Sequence, residues 1–247
     1  MIGFISWQVT GAERRRKAVT LREDNILQMR FLRVDVLRNG KTPETVLRRR
    51  VLSAGKRLHR LGITRAVLPE AFPYGDVLDG CGIRPVSTLA LRRALAADWL
   101  GWELERQGRS PTAGRIALSA EQLTGELVRT VTEVALRHRY VLLDLPYGGE
   151  ELCCHLRREY GISVLLNPER EQLEEAEALL LFEKREALTA RNPVVLPLYD
   201  ESVPLPPISL LPAVKEKLPA GADRVLLVAA LREAGALRTG QITFANK

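Results

Sequence analysis

The chain has 247 residues, of which 46% are hydrophobic and 27% charged, and its formal net charge is +7. This length suits one large or two modest domains, and the composition excludes wholesale disorder, fibrous proteins and, with three cysteines, a disulfide scaffold. The longest apolar run, residues 225–231, is too short to span a membrane, and the amino terminus lacks the basic region and cleavage site of a signal peptide. We therefore expect a soluble, cytoplasmic protein without a membrane partner.

The positive charge is concentrated in the first quarter of the chain. Residues 1–70 contain 16 Lys and Arg against 6 Asp and Glu, whereas residues 71–247 contain 21 against 24. The basic residues cluster at 14–17, 48–50 and 56–60. Such a field attracts acidic partners or nucleic acid, but no nucleic-acid-binding motif accompanies it. Moreover, 30 of the 37 basic residues are Arg, a bias that a GC-rich genome imposes on any protein.

The first part of the chain is predicted to be mixed α/β. Three β-like runs come first, at residues 1–8, 18–22 and 27–37. Thr42 and Pro43 have the residue types of a helix start, with Thr42 as the N-cap, and the helix is predicted to end at Gly62. A strand, a short helix and an extended segment follow at residues 63–68, 74–80 and 83–86.

From Thr88 onward, strands and helices alternate regularly. An amphipathic helix over residues 88–106 carries Trp99 and Trp102 and leads into a linker at 108–114. Strands are predicted at 115–119, 140–145, 162–166, 178–182 and 194–198, with helices at 121–137, 150–160 and 169–176. The strands are continuous apolar runs, as parallel strands buried on both faces require. The predicted fold is therefore α/β and Rossmann-like, a mostly parallel sheet with helices on both faces, preceded by a mixed α/β portion.

The predicted organisation has three parts. Residues 1–110 form a mixed α/β domain that ends in the connecting helix, and residues 111–190 form a degenerate Rossmann-like domain. Six of the fourteen prolines lie within residues 192–212, which excludes a regular helix or a central strand there. Residues 191–247 are accordingly predicted to be a Pro-rich arm and a final helix, over 222–237, that pack back on the rest, with a last edge strand at 241–244.

The order of elements over residues 115–183 resembles the nucleotide-binding half of a Rossmann-type dehydrogenase. In that family the first strand-to-helix turn carries G-x-G-x-x-G, whose glycines let the backbone approach a diphosphate. The corresponding turn here runs from Ser119 to Gly125, and the glycine positions fall on Ser119, Glu121 and either Thr124 or Gly125. Repulsion between Glu121 and a diphosphate at about 4 Å would cost on the order of 1–4 kcal/mol. Gly125 is still expected to allow close packing of the helix on the strand.

The resemblance also implies a position for an acidic residue that contacts ribose hydroxyls, and Asp144 at the end of the second strand occupies it. The resemblance implies binding of a small molecule or nucleotide-related ligand. The missing glycine pattern implies that NAD(P)-dependent catalysis of the usual kind is absent. A strand-end Asp is also an ordinary turn residue, so a structural role for Asp144 stays open. The identity of the cofactor, if there is one, is open as well.

A second candidate binding turn contains Gly148 and Gly149 at a predicted helix start. Backbone amides there could hold an anion, or the glycines could simply make a tight turn whose helix dipole is satisfied by Glu150 and Glu151. The predicted binding residues are therefore Ser119, Thr124, Gly125, Asp144, Gly148 and Gly149. The crevice at the carboxyl ends of the strands would be rimmed by Glu70, Ser119, Glu121, Asp144, Asn167 and Glu183. Such an acidic rim suits a cationic or hydroxyl-rich ligand.

No catalytic residue or metal ligand is predicted. Cys153, Cys154 and His155 are adjacent on a helix and point about 100° apart, so they cannot close on one ion by themselves. Walker A, GxSxG and HExxH motifs are absent from the sequence, which leaves open whether the protein is an enzyme. The apolar stripe with Trp99 and Trp102 is explained by core packing or by a homodimer. The alternative function is a non-catalytic interaction protein whose basic amino-terminal region binds an acidic partner or nucleic acid.

Overall fold

A computed structural model describes residues 1–9, 18–110, 114–185 and 191–245 of the chain. It divides into two compact units, each built from two stretches of sequence. The first unit comprises Met1–Thr88 with Leu210–Ile242, and the second comprises Leu89–Ser209 with Thr243–Lys247. Within the described ranges, no helix has both the length and the apolar character needed to cross a lipid bilayer.

In chain order the described elements are β1 (Ile2–Val9), β2 (Val19–Ile26), β3 (Met29–Arg38), α1 (Glu44–Arg60), β4 (Arg65–Val67), α2 (Gly75–Asp79), β5 (Arg84–Pro85), α3 (Leu89–Ala94), α4 (Ala96–Arg106), β6 (Arg115–Ser119), α5 (Gly125–Arg137), β7 (Tyr140–Asp144), α6 (Gly149–Tyr160), β8 (Leu165–Leu166), α7 (Arg170–Glu174), β9 (Ala178–Leu181), β10 (Val194–Pro197), β11 (Ile208–Leu210), α8 (Pro212–Lys215), α9 (Arg224–Glu233) and β12 (Ile242–Phe244).

The first unit contains a five-stranded sheet in the order β2-β3-β1-β4-β5. Its strands are parallel except for β2, which runs antiparallel to β3 along one edge. The turn between β2 and β3 consists of Leu27 and Gln28, whose φ angles are +48° and +67°. Two successive left-handed residues suit the right-handed twist of a hairpin, although the conformation is uncommon outside glycine and asparagine. The predicted strand over 27–37 therefore begins two residues later than expected.

Helix α1 packs on this sheet through residues spaced three and four apart. The buried residues of this stripe are Leu47, Val51, Ala54 and Leu58. Gly55 lies beside them, and a Cβ added there would lie 2.9 Å from Sγ of Cys81. The apolar periodicity that predicted the helix is thus the face that forms the core of the first unit.

Residues from the carboxyl-terminal part of the chain complete the first unit. The amide of Asp223 donates a hydrogen bond to the carbonyl of Leu68 (2.8 Å), and the amide of Glu70 donates to that of Gly221 (3.3 Å). Leu226, in α9, packs against the apolar core of the unit. The segment is therefore held to the end of β4 by its backbone and to the core by a side chain.

The second unit contains a five-stranded parallel sheet in the order β10-β9-β6-β7-β8. Numbered within the unit, this is the 3-2-1-4-5 order of the Rossmann fold. Leu118 and Leu143 are buried on the face covered by α4, α5 and α6, whereas Ala117 and Leu142 are buried on the face that carries α7. Both faces of each central strand are covered, which explains the continuous apolar runs. The predicted α/β, Rossmann-like fold class is confirmed.

Three predicted helices differ from the structure in where they begin or in their continuity. The helix predicted over 88–106 is divided into α3 and α4, with Leu95 between them outside helical geometry. The helix predicted from residue 121 begins only at Gly125, because Oγ1 of Thr124 accepts a hydrogen bond from the amide of Leu127 and caps it. Thr42 is not the N-cap of α1 as predicted, since Pro43 takes that position.

The Pro-rich segment is partly regular. Its first residues form β10, an edge strand parallel to β9, which agrees with the exclusion of a central strand but not with an arm lacking sheet pairing throughout. The predicted last edge strand is present as β12, which pairs with β11. Helices α3 and α4 and strand β10 belong to the second compact unit, and residues 210–242 belong to the first. The division at residues 110 and 190 stays a prediction.

Candidate functional site

In open α/β proteins, ligands bind at the carboxyl edge of the sheet, at the point where the chain connections diverge to either side. The second sheet is of this kind. That point lies between β6 and β9, because the chain continues from β6 to β7 on one side and from β9 to β10 on the other. Ser119, the last residue of β6, pairs in register with Asp144 of β7 and Leu181 of β9. The fold therefore brings the predicted residues Ser119 and Asp144 side by side at this edge.

Ser119, Asp144 and Arg185 form a polar network at this edge. Oγ of Ser119 donates a hydrogen bond to Oδ2 of Asp144 (2.7 Å), and Nη2 of Arg185 lies 3.2 Å from the same oxygen. Nη2 of Arg185 also donates to the carbonyl oxygen of Ala120 (2.9 Å). Ser119 is fully buried, whereas the side chains of Asp144 and Arg185 are each 23% exposed. The carboxylate is thus held in place, compensated in charge, and still in reach of a ligand.

The turn after β6 holds a carboxylate where the Rossmann-type dehydrogenases hold a diphosphate. The backbone amide of Glu121 donates to Oε2 of Glu183, two residues beyond β9, at 3.0 Å. A phosphate bound at this turn would accept hydrogen bonds from its backbone amides, but the amide of Glu121 already donates to Glu183. Glu121 carries a second negative charge on the same turn. The residues present therefore do not fit a dinucleotide diphosphate.

Thr124 and Gly125 begin helix α5. The Oγ1 of Thr124 is 3.2 Å from the amide of Leu127, so this hydroxyl is engaged as a helix cap. A Cβ added at Gly125 would meet no atom within 4 Å. The expectation that Gly125 allows close packing of helix on strand is therefore wrong, and binding by either residue stays a prediction.

Gly148 and Gly149 lie in the turn between β7 and α6, and each has a conformational or steric reason to be glycine. Gly148 has φ +78°, in the left-handed region, and a Cβ at Gly149 would lie 2.3 Å from Cδ1 of Leu166. Glu150 and Glu151 supply negative charge to the first turn of α6. The tight turn accounts for both glycines, and anion binding there stays a prediction.

The other rim residues are placed differently. Asn167 has φ +46°, its Oδ1 accepts from the amide of Leu145 (2.9 Å), and its own amide donates to the carbonyl of Leu143 (2.8 Å). These bonds give Asn167 a role in shaping the edge beyond β7. Glu70 belongs to the first unit, where it follows β4, so it is not counted with the edge of the second sheet.

Arg185 is the residue of this edge that the sequence prediction missed. The available signal was its position three residues after the apolar run that ends at Phe182, close to Glu183, in a Rossmann-like strand order. Arg93 was missed as well, and nothing in its helical context indicated a role. Its guanidinium pairs with Glu126 at 2.9 Å and donates to the carbonyl of Phe182 at 3.3 Å, which ties the start of α5 to the end of β9.

A second polar network lies in the first unit and was also missed. Oγ of Ser6 donates to Oδ1 of Asp35 (2.5 Å), and Nε of Arg33 lies 2.8 Å from the same oxygen. Arg33 also pairs with Asp24 (3.0 Å), and Arg22 lies 3.4 Å from Oδ2 of Asp35. Burial by itself would raise the pKa of the Asp35 carboxyl, but the bonds from Ser6 and Arg33 and the two arginine charges hold it below the ordinary value.

Basic residues of α1 form bonds within the first unit. Arg50 donates to the carbonyl of Leu37 (2.5 Å), and Arg57 donates to that of Val19 (2.9 Å). Arg48 forms an ion pair with Asp76. These contacts give part of the basic amino-terminal region a structural role, whereas the cluster at 14–17 lies outside the described residues.

Helix α6 contains the adjacent residues Cys153, Cys154 and His155. In the ranges that the structure describes, no group of three His, Cys, Asp or Glu side chains is placed to hold a metal ion. Cys153 is half-buried and Cys154 is exposed. Burial raises the pKa of the Cys153 thiol, and the neighbouring Cys154 adds to the effect.

The tryptophan stripe is accounted for within the second unit. Trp99 is buried in its core, and the half-buried Trp102 donates from Nε1 to the carbonyl of Ala245 at 3.1 Å. Core packing therefore explains both residues, and a homodimer stays a prediction without support from this stripe.

Comparison with known proteins gives only distant structural similarity. No family model matches the chain, and no curated protein matches it significantly. Among solved structures, an L-tryptophan dehydrogenase from Nostoc punctiforme has 12% identity and a TM-score of 0.33, covering 67% of this chain and 50% of that one. A hetero-hexameric glutamate dehydrogenase from Thermus thermophilus in a Leu-bound form has 15% identity and a TM-score of 0.30, covering 68% and 49%.

A putative aspartate carbamoyltransferase from Trypanosoma cruzi has 13% identity and a TM-score of 0.28, covering 76% of this chain and 66% of that one. The chain thus spans about half the length of the two dehydrogenases. At these scores the similarity assigns no role to any residue, and the Rossmann-like class rests on the strand order of the second sheet.

Proposed function

We propose that the carboxyl edge of the second sheet binds a small hydroxyl-bearing molecule of the nucleoside type, without the chemistry of a dinucleotide. The observation that carries this proposal is the Ser119–Asp144–Arg185 network at the point where the strand connections diverge. A carboxylate at the end of the second strand of a Rossmann-like sheet is suitably placed to accept hydrogen bonds from ribose hydroxyls.

The geometry of Asp144 supports a hydroxyl ligand. Ser119 and Arg185 both engage Oδ2, and among the described residues Oδ1 of Asp144 has no hydrogen-bond partner. An ionised carboxylate accepts at both oxygens, so Oδ1 is available to a donor such as a hydroxyl. Arg185 offsets the charge of Asp144, which lowers the preference for a cation over a neutral, hydroxyl-rich ligand.

The same edge disfavours a diphosphate. The carboxylate of Glu183 accepts the hydrogen bond of the Glu121 backbone amide, and both side chains are negatively charged. A neutral nucleoside avoids the repulsion that a diphosphate would meet there, which is on the order of 1–4 kcal/mol for one pair of charges at about 4 Å. The proposed preference is therefore for a nucleoside over NAD(H) or NADP(H).

Isothermal titration calorimetry with adenosine, NAD+ and NADP+ tests the proposal. We expect saturable binding of adenosine, weaker Asp144-dependent binding of both dinucleotides, and a loss of about tenfold or more in adenosine affinity for Asp144→Asn, since a hydrogen bond to a charged group contributes about 1.5–3 kcal/mol. Asp79→Asn, which alters a carboxylate 70% exposed in the first unit, serves as the matched control.

Two outcomes would contradict the proposal. One is adenosine binding that is equally strong in wild type, Asp144→Asn and Asp79→Asn, or is not detected in any of them. The other is binding of NAD+ that is tighter than that of adenosine and is weakened by Asp144→Asn, because that result would require the turn after β6 to accept a diphosphate.

A further inference from the structure

A cavity lies at the opposite, amino edge of the same sheet, where β6, β7 and β8 begin. Its volume is about 460 Å³, within the range of small-molecule sites. We call it the amino-edge pocket, and its lining comprises Arg115, Arg139, Tyr140, Val141, Leu142, Arg157, Ser163, Val164, Leu165 and Gln172. None of these residues takes part in the network at the carboxyl edge.

Three arginines face this pocket, and their charge is poorly compensated by the protein. Within the described chain, neither the Arg139 nor the Arg157 guanidinium forms an ion pair, and Arg139 instead lies over the ring of Tyr140, 5.3 Å from its centre. Arg115 approaches Glu175 only to 3.9 Å, and both side chains are more than half exposed. Such an exposed pair contributes little, so the pocket keeps a net positive charge.

The positions of these arginines follow from the fold. Arg115 is the first residue of β6 and pairs in register with Tyr140, the first residue of β7, and Arg139 immediately precedes Tyr140. Leu165 begins β8, which pairs with β7. Because three neighbouring parallel strands start here, residues that are distant in sequence converge on one concave surface.

The remaining lining is apolar and hydrogen-bonding. Tyr140 and Leu165 are each about half exposed, at 49% and 48%, beside the apolar Val164. Ser163 and Gln172 add neutral groups that can donate or accept hydrogen bonds. A matching ligand therefore has an apolar or planar body together with strong negative charge.

The charge and donor geometry favour phosphate as the anionic group. A guanidinium presents a planar fork of donors that fits phosphate oxygens in pairs. A phosphomonoester carries a charge of about −1.5 to −2 at pH 7, whereas a single carboxylate would leave most of three arginine charges uncompensated. We propose that the amino-edge pocket binds a phosphorylated small molecule with an apolar or planar body, a site independent of the one proposed at the carboxyl edge.

Calorimetric titration of the full chain with phenyl phosphate and with inorganic phosphate tests this site, using sodium chloride at matched ionic strength as the blank. We expect saturable binding of both, with phenyl phosphate tighter by about threefold or more because its ring contacts Tyr140 and Leu165. Arg139→Gln and Arg157→Gln should each weaken phenyl phosphate binding by about tenfold or more. Arg158→Gln, next in sequence, outside the lining and 87% exposed, should change it by less than about twofold.

Chemical-shift mapping locates the bound probe independently of affinity. We expect phenyl phosphate to shift the backbone amides of Ser163 and Leu165 but not that of Ser119, in wild type and in Asp144→Asn alike. The proposal is overturned by any of three results: no binding above the chloride blank, equal weakening by Arg158→Gln and Arg157→Gln, or shifts centred on Ser119. The first two results leave adenosine binding untouched, whereas shifts centred on Ser119 would also count against the proposed exclusion of phosphate from the carboxyl edge. The effect of Asp144→Asn on adenosine affinity tests that edge separately.

Discussion

Asp35 and Asp144 are each held by a serine hydroxyl and an arginine, one in each unit, yet their surroundings differ. Both oxygens of Asp35 are engaged, Oδ1 by Ser6 and Arg33 and Oδ2 by Arg22, and the residue is only 8% exposed. Asp144 is more exposed and both of its bonds use one oxygen. A fully engaged carboxylate stabilises the fold, whereas a carboxylate with an unused oxygen at an open edge can also bind a ligand.

The first prediction concerns stability and its pH dependence at Asp35. Asp35→Asn should lower the free energy of unfolding by about 1–3 kcal/mol at neutral pH, because Arg33 and Arg22 lose their charged acceptor. The pKa of this carboxyl is lower in the folded protein, so its contribution is complete above about pH 4 and is lost as the pH falls through the folded-state value. Urea denaturation between pH 7 and pH 3 measures the difference.

Asp79→Asn is the control for this experiment, since Asp79 is 70% exposed and its ion pair with Arg84 is long at 3.7 Å. Its effect should stay within about 0.5 kcal/mol. A difference between wild type and Asp35→Asn that grew as the pH fell below 4 would refute the assigned direction of the pKa shift.

The second prediction concerns Asn192, a buried residue that nothing in the sequence singled out. Its Nδ2 donates to the carbonyl of Leu173 in α7 (2.7 Å) and to that of Ala176 (2.8 Å), which lies between α7 and β9. Asn192→Ala leaves these carbonyls without the donor and should lower the free energy of unfolding by about 1–3 kcal/mol. Asn25→Ala, on the exposed face of β2, should be close to neutral in the same thermal or urea unfolding measurement.

At the scale of elements, replacing the glycines at the starts of α5 and α6 by alanine is expected to change stability in opposite directions. Gly148 has φ +78°, so Gly148→Ala should cost about 1–2 kcal/mol of stability, whereas Gly125 has open space around it and lies outside the left-handed region. Gly125→Ala should therefore be neutral or stabilise by up to about 1 kcal/mol, because it restricts the unfolded chain. Differential scanning calorimetry of the two variants separates these cases.

A stabilised Gly148→Ala variant would contradict the turn geometry. A strongly destabilised Gly125→Ala variant would instead restore the packing role that the sequence predicted for Gly125. Measuring adenosine binding to the same two proteins shows whether either glycine also matters for the ligand.

Elements with a repeated pattern were predictable from the sequence, and elements fixed by a few contacts were not. The apolar runs of β6, β7 and β9 indicated buried parallel strands, and their positions hold to within a residue or two. By contrast β5 and β8 have two residues each and are much shorter than the segments predicted at 83–86 and 162–166. The hairpin at Leu27 and Gln28 lacks the usual glycine or asparagine, so the sequence carried no turn signal there.

The same distinction applies to the candidate site. Ser119 and Asp144 could be placed because each ends a predicted strand, and parallel neighbours end at the same edge. Arg185 contacts the carbonyl of Ala120 across 65 positions of sequence, and only the strand order β9-β6-β7 brings it there. The arginines of the amino-edge pocket could not be grouped from the sequence either, because Arg115 begins β6, Arg139 precedes β7 and Arg157 lies on α6.

At the scale of the whole molecule, each compact unit is built from two separate stretches of sequence. Residues 210–242 follow the second unit in sequence but belong to the first, where Asp223 and Gly221 are hydrogen-bonded beyond β4. Local unfolding free energies are shared within cooperative units rather than along the sequence. Strand β4 and helix α9 should therefore lose protection together, although more than 150 residues separate them.

Hydrogen exchange of two core variants tests this assignment. Leu58 and Leu143 are both fully buried, in the cores of the first and second units respectively, so each change to alanine should cost about 2–5 kcal/mol. In Leu58→Ala, amides of β1, β3 and α9 should exchange faster by a larger factor than those of β6, β7 and β9, and Leu143→Ala should give the reverse. Each variant is the control for the other, since both remove the same side-chain atoms. Amides of α9 that followed Leu143→Ala instead would assign the carboxyl-terminal segment to the second unit.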